Sequence, residues 1–221
     1  MYSDIEKIIG YTFVDEELIK EALTHKSYAG ENRRVKHNER LEFLGDSVLG
    51  LAAADYIYRG HPADEEGVLS KIKSALVSRK NLFLWASGLG LGRFLHLGAG
   101  EEAAGGRERE SILSNAMEAL IGAVYLDGGY GAAKKIVDGL IASHEDGELG
   151  VDWKSRLQEL VQKINKTVPR YEVIQTVGPE HDKVFTVSVS AGKKELARGK
   201  GRNKKLAEAD AAKNALAAFN K

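Results

Sequence analysis

From residue 15 to residue 143 apolar side chains recur at three- and four-residue intervals, the spacing of one helix face; from residue 170 to residue 200 they alternate, the spacing of strands. The first stretch predicts helices. Asp15 is placed to cap EELIKEALTHKSYA, and a second helix starts near Asn38 and runs through Asp46 to about Arg59, where Gly60 and Pro62 end it. A third covers about Gly67 to Ala86, a fourth about Arg109 to Leu126, and a fifth, after the Gly-Gly at Gly128, about Tyr130 to Ser143. LGAGEEAAGGRE, between the third and fourth, reads as a mobile loop. The tail reads as helix KSRLQELVQKI, strands RYEVIQTV, KVFTVSVS and KELARGKG, then the Ala-rich helix NKKLAEADAAKNALAAF. An all-α domain followed by a small α+β domain of order α-β-β-β-α is the expected architecture, with residues 1–145, a linker at 146–151, and residues 152–221.

Composition changes this picture little, since 43% apolar and 29% charged residues are ordinary for a globular chain. The absence of cysteine excludes disulfides, thiolate metal sites and cysteine nucleophiles together. No apolar run approaches the roughly 20 residues needed to span a bilayer, and no basic segment leads into an apolar run at the start, so a soluble cytoplasmic protein without a membrane partner is expected. Charge is more informative. The formal net charge of +0 conceals 15 Lys+Arg against 8 Asp+Glu in residues 152–221, net +7, and 17 against 24 in residues 1–151, net −7. Such segregation points to a polyanion held by the basic part and worked on by the acidic part, with cations needed there to tolerate it. GLGLG at Gly88 follows a helical pattern and precedes no helix, and GKG at Gly199 lacks the rest of a phosphate loop, so no nucleotide cofactor is expected.

Candidate chemistry lies in NERLEFLGDS. On a helix turning 100° per residue, with Glu42 at zero, Asp46 falls near roughly 40° and Glu39 near roughly 60°, while Leu41, Leu44, Val48 and Leu51 gather at about 180° to 260°. A solvated acidic face would cost only about 0.2–0.5 kcal/mol per like-charged pair. Partly buried, the carboxylates would require a cation. Phe43 and Leu49 flank the acids, and Gly45 and Gly50 permit close approach by another element. The fourth helix suits that place, because it is apolar nearly all round except for Asn115 and Glu118, which point the same way. Glu42, Asp46, Asn115 and Glu118 would form an all-oxygen site suited to magnesium or manganese rather than zinc.

NERLEFLGDSVLG, SNAMEALIGAVYLDGG and EGVLSKIKSALVS resemble the motifs of the ribonuclease III family, and the tail, with GPEH and GRNKKLAEADAA, resembles the double-stranded-RNA-binding domain of its bacterial members. The resemblance spans essentially the whole chain. It implies a magnesium-dependent endonuclease, in which manganese can substitute, that works as a homodimer on double-stranded RNA and leaves short 3′ overhangs. Ribosomal-RNA precursor processing and turnover of structured messengers are the implied roles. By matching motif positions, Glu42, Asp46, Asn115 and Glu118 are the implied metal ligands, with Asp46 and Glu118 most closely tied to catalysis. Glu39 and Glu66 fall on substrate-handling positions, and Phe43 on a dimer-interface aromatic, although the apolar surroundings of Phe43 would equally suit an internal core. One position departs from the family, which commonly has Asp where this chain has Asn115. An amide oxygen coordinates a hard cation but brings no charge, so either metal demand is higher or the protein binds duplex RNA without efficient cutting.

In the tail, seven of the thirteen residues from Lys193 to Lys205 are basic. The resemblance places Gln158 and His181 at minor-groove groups and Lys204 and Lys205 on phosphates across the major groove, reading A-form shape rather than bases. Trp153 and Tyr171 are expected in the core of the small domain, because duplex RNA offers no splayed bases for stacking. The other histidines, His25, His37, His61, His96 and His144, show no metal-ligand spacing.

Overall fold

In the computed structural model, which describes residues 2–62, 64–144, 153–179 and 183–219, the chain forms two units, Met1–Leu149 and Gly150–Lys221. The expected linker at 146–151 lies outside the described residues.

The first unit is helical: α1 (Ser3–Ile9), α2 (Glu16–Ala22), α3 (Lys26–Glu31), α4 (Glu39–Gly60), α5 (Glu66–Leu76), α6 (Arg79–Gly88), α7 (Ala99–Ala103) and α8 (Glu110–His144). Asp15 caps α2 by accepting from the Glu17 amide at 3.0 Å. Two expected helices are in fact pairs. The stretch expected from residue 16 onward breaks at Thr24–His25, where the backbone exchanges hydrogen bonds with His96 (His25 N to His96 O 3.0 Å, His96 N to Leu23 O 2.8 Å) before His25 caps α3. The stretch expected from Gly67 to Ala86 breaks after Leu76. There Ser78 turns extended and accepts from the Asn81 amide, and the buried Asn81 side chain donates to Leu76 O at 2.7 Å. In both places a side chain competes successfully for backbone groups that a continuous helix would have used.

The segment expected as a mobile loop instead holds α7 and a 3₁₀ turn at Gly106–Glu108. Glu31 accepts from the Ala99 amide at the start of α7, and Arg107 donates to the Gly92 and Leu95 carbonyls at 2.8 and 2.9 Å. α8 is interrupted where the sequence separates its fourth and fifth helices: Gly129 takes φ 77° and ψ −179°.

The core centres on the crossing of α4 and α8. Leu41, Val48, Leu49, Ala52, Ala53 and Ile57 meet Ile112, Leu113, Ala116, Met117, Leu120 and Val124, all buried. This approach is possible only because Gly45 and Gly122 lack side chains. A Cβ at Gly45 would overlap the Glu118 carbonyl, and one at Gly122 would overlap the Leu41 carbonyl. Gly50 has no such role, since a Cβ there would meet only the Lys73 side chain, 3.7 Å away. Packing through Gly45 turns the buried stripe of α4 to near roughly 310° on the wheel used above, about 90° closer to the carboxylates than the leucine spacing suggests. Consequently Leu51 is 58% exposed and Leu44 only half-buried.

The second unit comprises α9 (Trp153–Asn165), strands β1 (Pro169–Val177), β2 (Val184–Ala191) and β3 (Lys194–Gly201), and α10 (Lys204–Phe219). The strands form an antiparallel sheet in chain order with a bulge near Ile174. Leu157 and Val161 of α9, Val187 and Val189 of β2, and Ala207, Ala211 and Ala215 of α10 form its core, with Trp153 and Tyr171 packed against it.

Candidate functional site

The contact at Gly45 fixes the site. Because the Glu118 backbone lies directly on Gly45, the Glu118 side chain stands beside Asp46, the next residue along α4, and Glu42, three residues back and on the same side. The structure places Glu42 and Asp46 of α4 and Asn115 and Glu118 of α8 at this crossing. Glu42, Asn115 and Glu118 are half-buried and Asp46 is exposed. Burial, then repulsion from Asp46 and Glu42, pushes the Glu118 carboxyl up to about 7, against a partial opposing pull from Arg79. Burial also raises Glu42, offset in part by a hydrogen bond from Asn115.

The Asn115 amide is oriented from both ends. Ser114 Oγ reaches its Oδ1 at 3.4 Å, while the side chain hydrogen-bonds Glu42. This arrangement leaves the acids as an open face rather than a cage: among the described residues no three Asp, Glu or His side chains converge to form a ready cation site. The donor set still suits a hard divalent cation, being three carboxylates and an amide oxygen. Burial, and after it the charges of Asp46 and Glu42, disfavour the ionised form of Glu118, and a divalent cation would favour it.

The remaining expected residues fall elsewhere. Glu39, at the first turn of α4, is exposed and paired with Lys26 at 2.9 Å, which holds its carboxyl below the usual range. Glu66 accepts from Ser70 Oγ at 2.6 Å and lines a groove with Leu51, Tyr58 and Lys73 rather than the acid cluster. Phe43 does not enter an internal core: it is 79% exposed, and Leu51 and Tyr58, at 58% and 73%, share its side of α4. Sequence reasoning missed three contributors. Buried Asn38 ties the start of α4 to the end of α2 through its amide to Thr24 O at 2.9 Å and its side chain to Ala22 O at 3.3 Å. Lys26 neutralises Glu39, and Arg79 at the start of α6 adds a positive charge near the cluster. An Asn before a helix is a recognisable cap signal, but nothing in the sequence places Lys26 or Arg79 near residue 42.

In the second unit Lys204 and Lys205 open α10, both exposed, with Asn203 capping the helix through its Oδ1 to the Leu206 amide at 2.9 Å. Gln158 is exposed on α9, one residue after buried Leu157. His181 lies outside the described residues. Lys154 bridges to Glu208 at 2.5 Å and lies over the Tyr171 ring, fastening α9 to α10 and β1. Among the described residues no helix is long and apolar enough to cross a membrane.

Comparison with known proteins covers both units. A family model described as ribonuclease-III-like matches residues 15–144, and one described as a double-stranded RNA binding motif matches residues 153–218. A protein named Ribonuclease 3 from Geobacter metallireducens is 47% identical over 98% of this chain and 91% of its own length. Another of that name from Sulfurovum is 44% identical over 100% of this chain and 99% of its own. Among solved structures, the nuclease domain of ribonuclease III from Campylobacter jejuni, reported with flexibility in a region involved in dimer formation, is 42% identical, covers 66% of this chain and 99% of its own, and superposes with a TM-score of 0.62.

Proposed function

The chain belongs to the ribonuclease III family, and from that premise we propose that it hydrolyses phosphodiesters in both strands of duplex RNA with the aid of a divalent cation, magnesium or manganese, leaving short 3′ overhangs. The family makes it a double-strand-specific endoribonuclease. The observation that carries the mechanism is the seating of Glu118 on Gly45, which assembles Glu42, Asp46 and Glu118 at one crossing.

In this reading Glu42, Asp46, Glu118 and the Asn115 amide oxygen hold the cation. A bound divalent ion lowers the pKa of water and neutralises charge gathering on the phosphate. Asp46 and Glu118 would hold the cation and orient the attacking water. Glu39, restrained by Lys26, and Glu66 border the path of the RNA. The α-β-β-β-α unit supplies the grip: Lys204 and Lys205 on phosphates, Gln158 and His181 on minor-groove groups.

The exposed side of α4 bearing Phe43, Leu51 and Tyr58 supports a homodimer, because an apolar strip on a helix that already has its own buried stripe calls for a further partner. Two sites, one per protomer, then cut one strand each. Processing of ribosomal-RNA precursors and turnover of structured messengers in the cytoplasm are the roles we assign.

A second reading is favoured by one observation: Asn115 engages Glu42 where a fourth carboxylate would bind metal. On this reading the protein binds duplex RNA and cuts it poorly. Cleavage of a long duplex across a magnesium titration, with manganese and Asn115→Asp alongside, separates the two. Cutting by the unmodified chain upholds the enzyme. Binding without cutting, rescued by Asn115→Asp, upholds the second reading, and no cleavage by either chain under any metal sinks the first.

A further inference from the structure

One of the connections that close the first unit runs through an imidazole. His25, half-buried between α2 and α3, turns its Nδ1 toward two donors on Ser27, the amide nitrogen at 3.2 Å and the hydroxyl at 2.8 Å. An amide only donates, so Nδ1 accepts, and the ring is neutral with its proton on Nε2. Ser27 Oγ in turn accepts from the Gly98 amide at 2.9 Å, which leaves its own proton for Nδ1. The result is a directed chain, Gly98 N–H to Ser27 O–H to His25 Nδ1, in which the imidazole is both the cap of α3 and the final acceptor.

That chain lies where α3 meets the segment leading into α7. Gly98 is buried there, and a Cβ on it would overlap the Ser27 carbonyl and the Glu31 carboxylate. Beside it the Ala99 amide donates to Glu31 at 2.9 Å, and the His25 amide donates to the His96 carbonyl at 3.0 Å. A second proton on the ring goes to Nδ1 and turns the acceptor into a donor. The Ser27 hydroxyl can rotate to meet it. The Ser27 amide, fixed by the backbone, cannot, so two donors face each other and α3 loses its cap.

Charged groups reach the ring from each element packed around it. Burial is the largest influence and favours the neutral ring; Lys26 of α3 and Arg109, just before α8, act in the same direction, while Glu101 of α7 and Glu39 of α4 oppose it. Both of those acids already have basic partners, Glu101 in Arg109 and Glu39 in Lys26. His96, the neighbouring imidazole, lies against Tyr2 and Tyr28 and is also kept neutral by burial. Because the folded chain holds His25 below its reference value of 6.5, the arrangement is at full strength above that pH, and its cost grows as pH falls from there through the lower folded-state value.

We propose that His25 is a proton-operated latch: neutral, it closes α3 onto the Gly98–Ala99 segment, and protonated in mild acid it lets that segment and the start of α7 open while the rest of the unit stays folded. The latch belongs to the fold and does not depend on the duplex-RNA reading.

The test is NMR of the full chain from about pH 5 to about pH 8, with imidazole nitrogens and amide exchange read together. At the upper end the His25 nitrogens should report a bare Nδ1 and a protonated Nε2. As the ring titrates, protection of the Ser27 and Gly98 amides, corrected for the intrinsic pH dependence of exchange, should fall roughly two- to thirty-fold, the range for loss of one N-cap. Amides of α8 such as Met117 and Leu120, both buried, should keep theirs. His25→Asn supplies a cap that does not titrate and should flatten the profile at Ser27 and Gly98, whereas His96→Gln should leave it in place. A proton on Nδ1 at neutral pH, protection that does not follow the titration of His25, or a fall shared equally by α8 overturns the proposal. So does a profile that survives His25→Asn and vanishes in His96→Gln, which assigns the switch to His96. Should His25→Asn not fold, the titration and protection curves of the parent decide the matter by themselves.

Discussion

Replacing Glu118 with glutamine in the metal-free chain isolates the electrostatic cost of building the site. The folded-state pKa of Glu118 stands above its reference value of 4.5, at about 7, because burial and the neighbouring Asp46 and Glu42 disfavour its charge. A carboxyl with a raised pKa binds protons more tightly in the folded than in the unfolded chain, so stability falls as pH climbs from about 4.5 through about 7. The full shift corresponds to about 3 kcal/mol. Glu118 is only half-buried, and solvent screening reduces this to about 1–2 kcal/mol, or a few degrees in Tm for a unit of this size. Glutamine is uncharged at every pH and removes the effect.

The assay is thermal unfolding of both chains in chelator from about pH 5 to about pH 8. Glu118→Gln should gain on the parent steadily across that range, ending roughly 2–6 °C above it. Comparing the two chains cancels His25 and His96, whose pKa values are lowered by burial and whose stability contribution runs in the opposite direction. Magnesium should then stabilise the parent at pH 8 and do little for the variant. Parallel curves for the two chains would refute the claim that Glu118 sits among uncompensated negative charge.

Glu118→Gln should also abolish cleavage while leaving duplex affinity within about two-fold, measured by product analysis and filter binding; retained cleavage would remove Glu118 from the metal site. Lys204→Ala with Lys205→Ala should weaken duplex binding and lower the salt slope by about two, and an unchanged slope would exclude both from phosphate contact. Phe43→Asp places a charge on the exposed strip of α4 and should move elution of the chain from dimer to monomer; dimeric elution would assign self-association to another surface. Asn115→Asp should reduce the magnesium needed for half-maximal activity, and an unaltered titration would mean that position 115 is not a ligand.

Much of this was legible in the chain because the relevant information is local. Asp15 as a cap, the break at Gly129, the alternating strands and the shared side of Glu42 and Asp46 all follow from spacing over a few residues. The break at Thr24 was not legible because it depends on His96 across the fold; the break at Ser78 is made by local partners, the Ser78 cap on Asn81 and the Asn81 side chain on the Leu76 carbonyl, a cap signal that the continuous apolar spacing from Gly67 to Ala86 overrode. The face of α4 was misjudged for a related reason. Leucine spacing favours Leu44 and Leu51 as core, but backbone contact at Gly45 outweighs it, because two glycines allow α8 closer than any leucine ridge would. That rotation half-buries Glu42 and leaves Phe43, Leu51 and Tyr58 outward, so one packing choice sets both the acid cluster and the strip available to a partner.

Asn115 and Arg79 alter the same quantity by different routes. With Asp at position 115 the crossing would carry four carboxylates. This chain instead carries three, an amide that donates to one of them, and a guanidinium that acts on two. Each makes the crossing less repulsive to itself, which favours folding; on the reading proposed above, each also weakens the pull on a divalent cation. On that reading Asn115→Asp, which returns a carboxylate to the crossing, should tighten metal use while making the metal-free chain less stable.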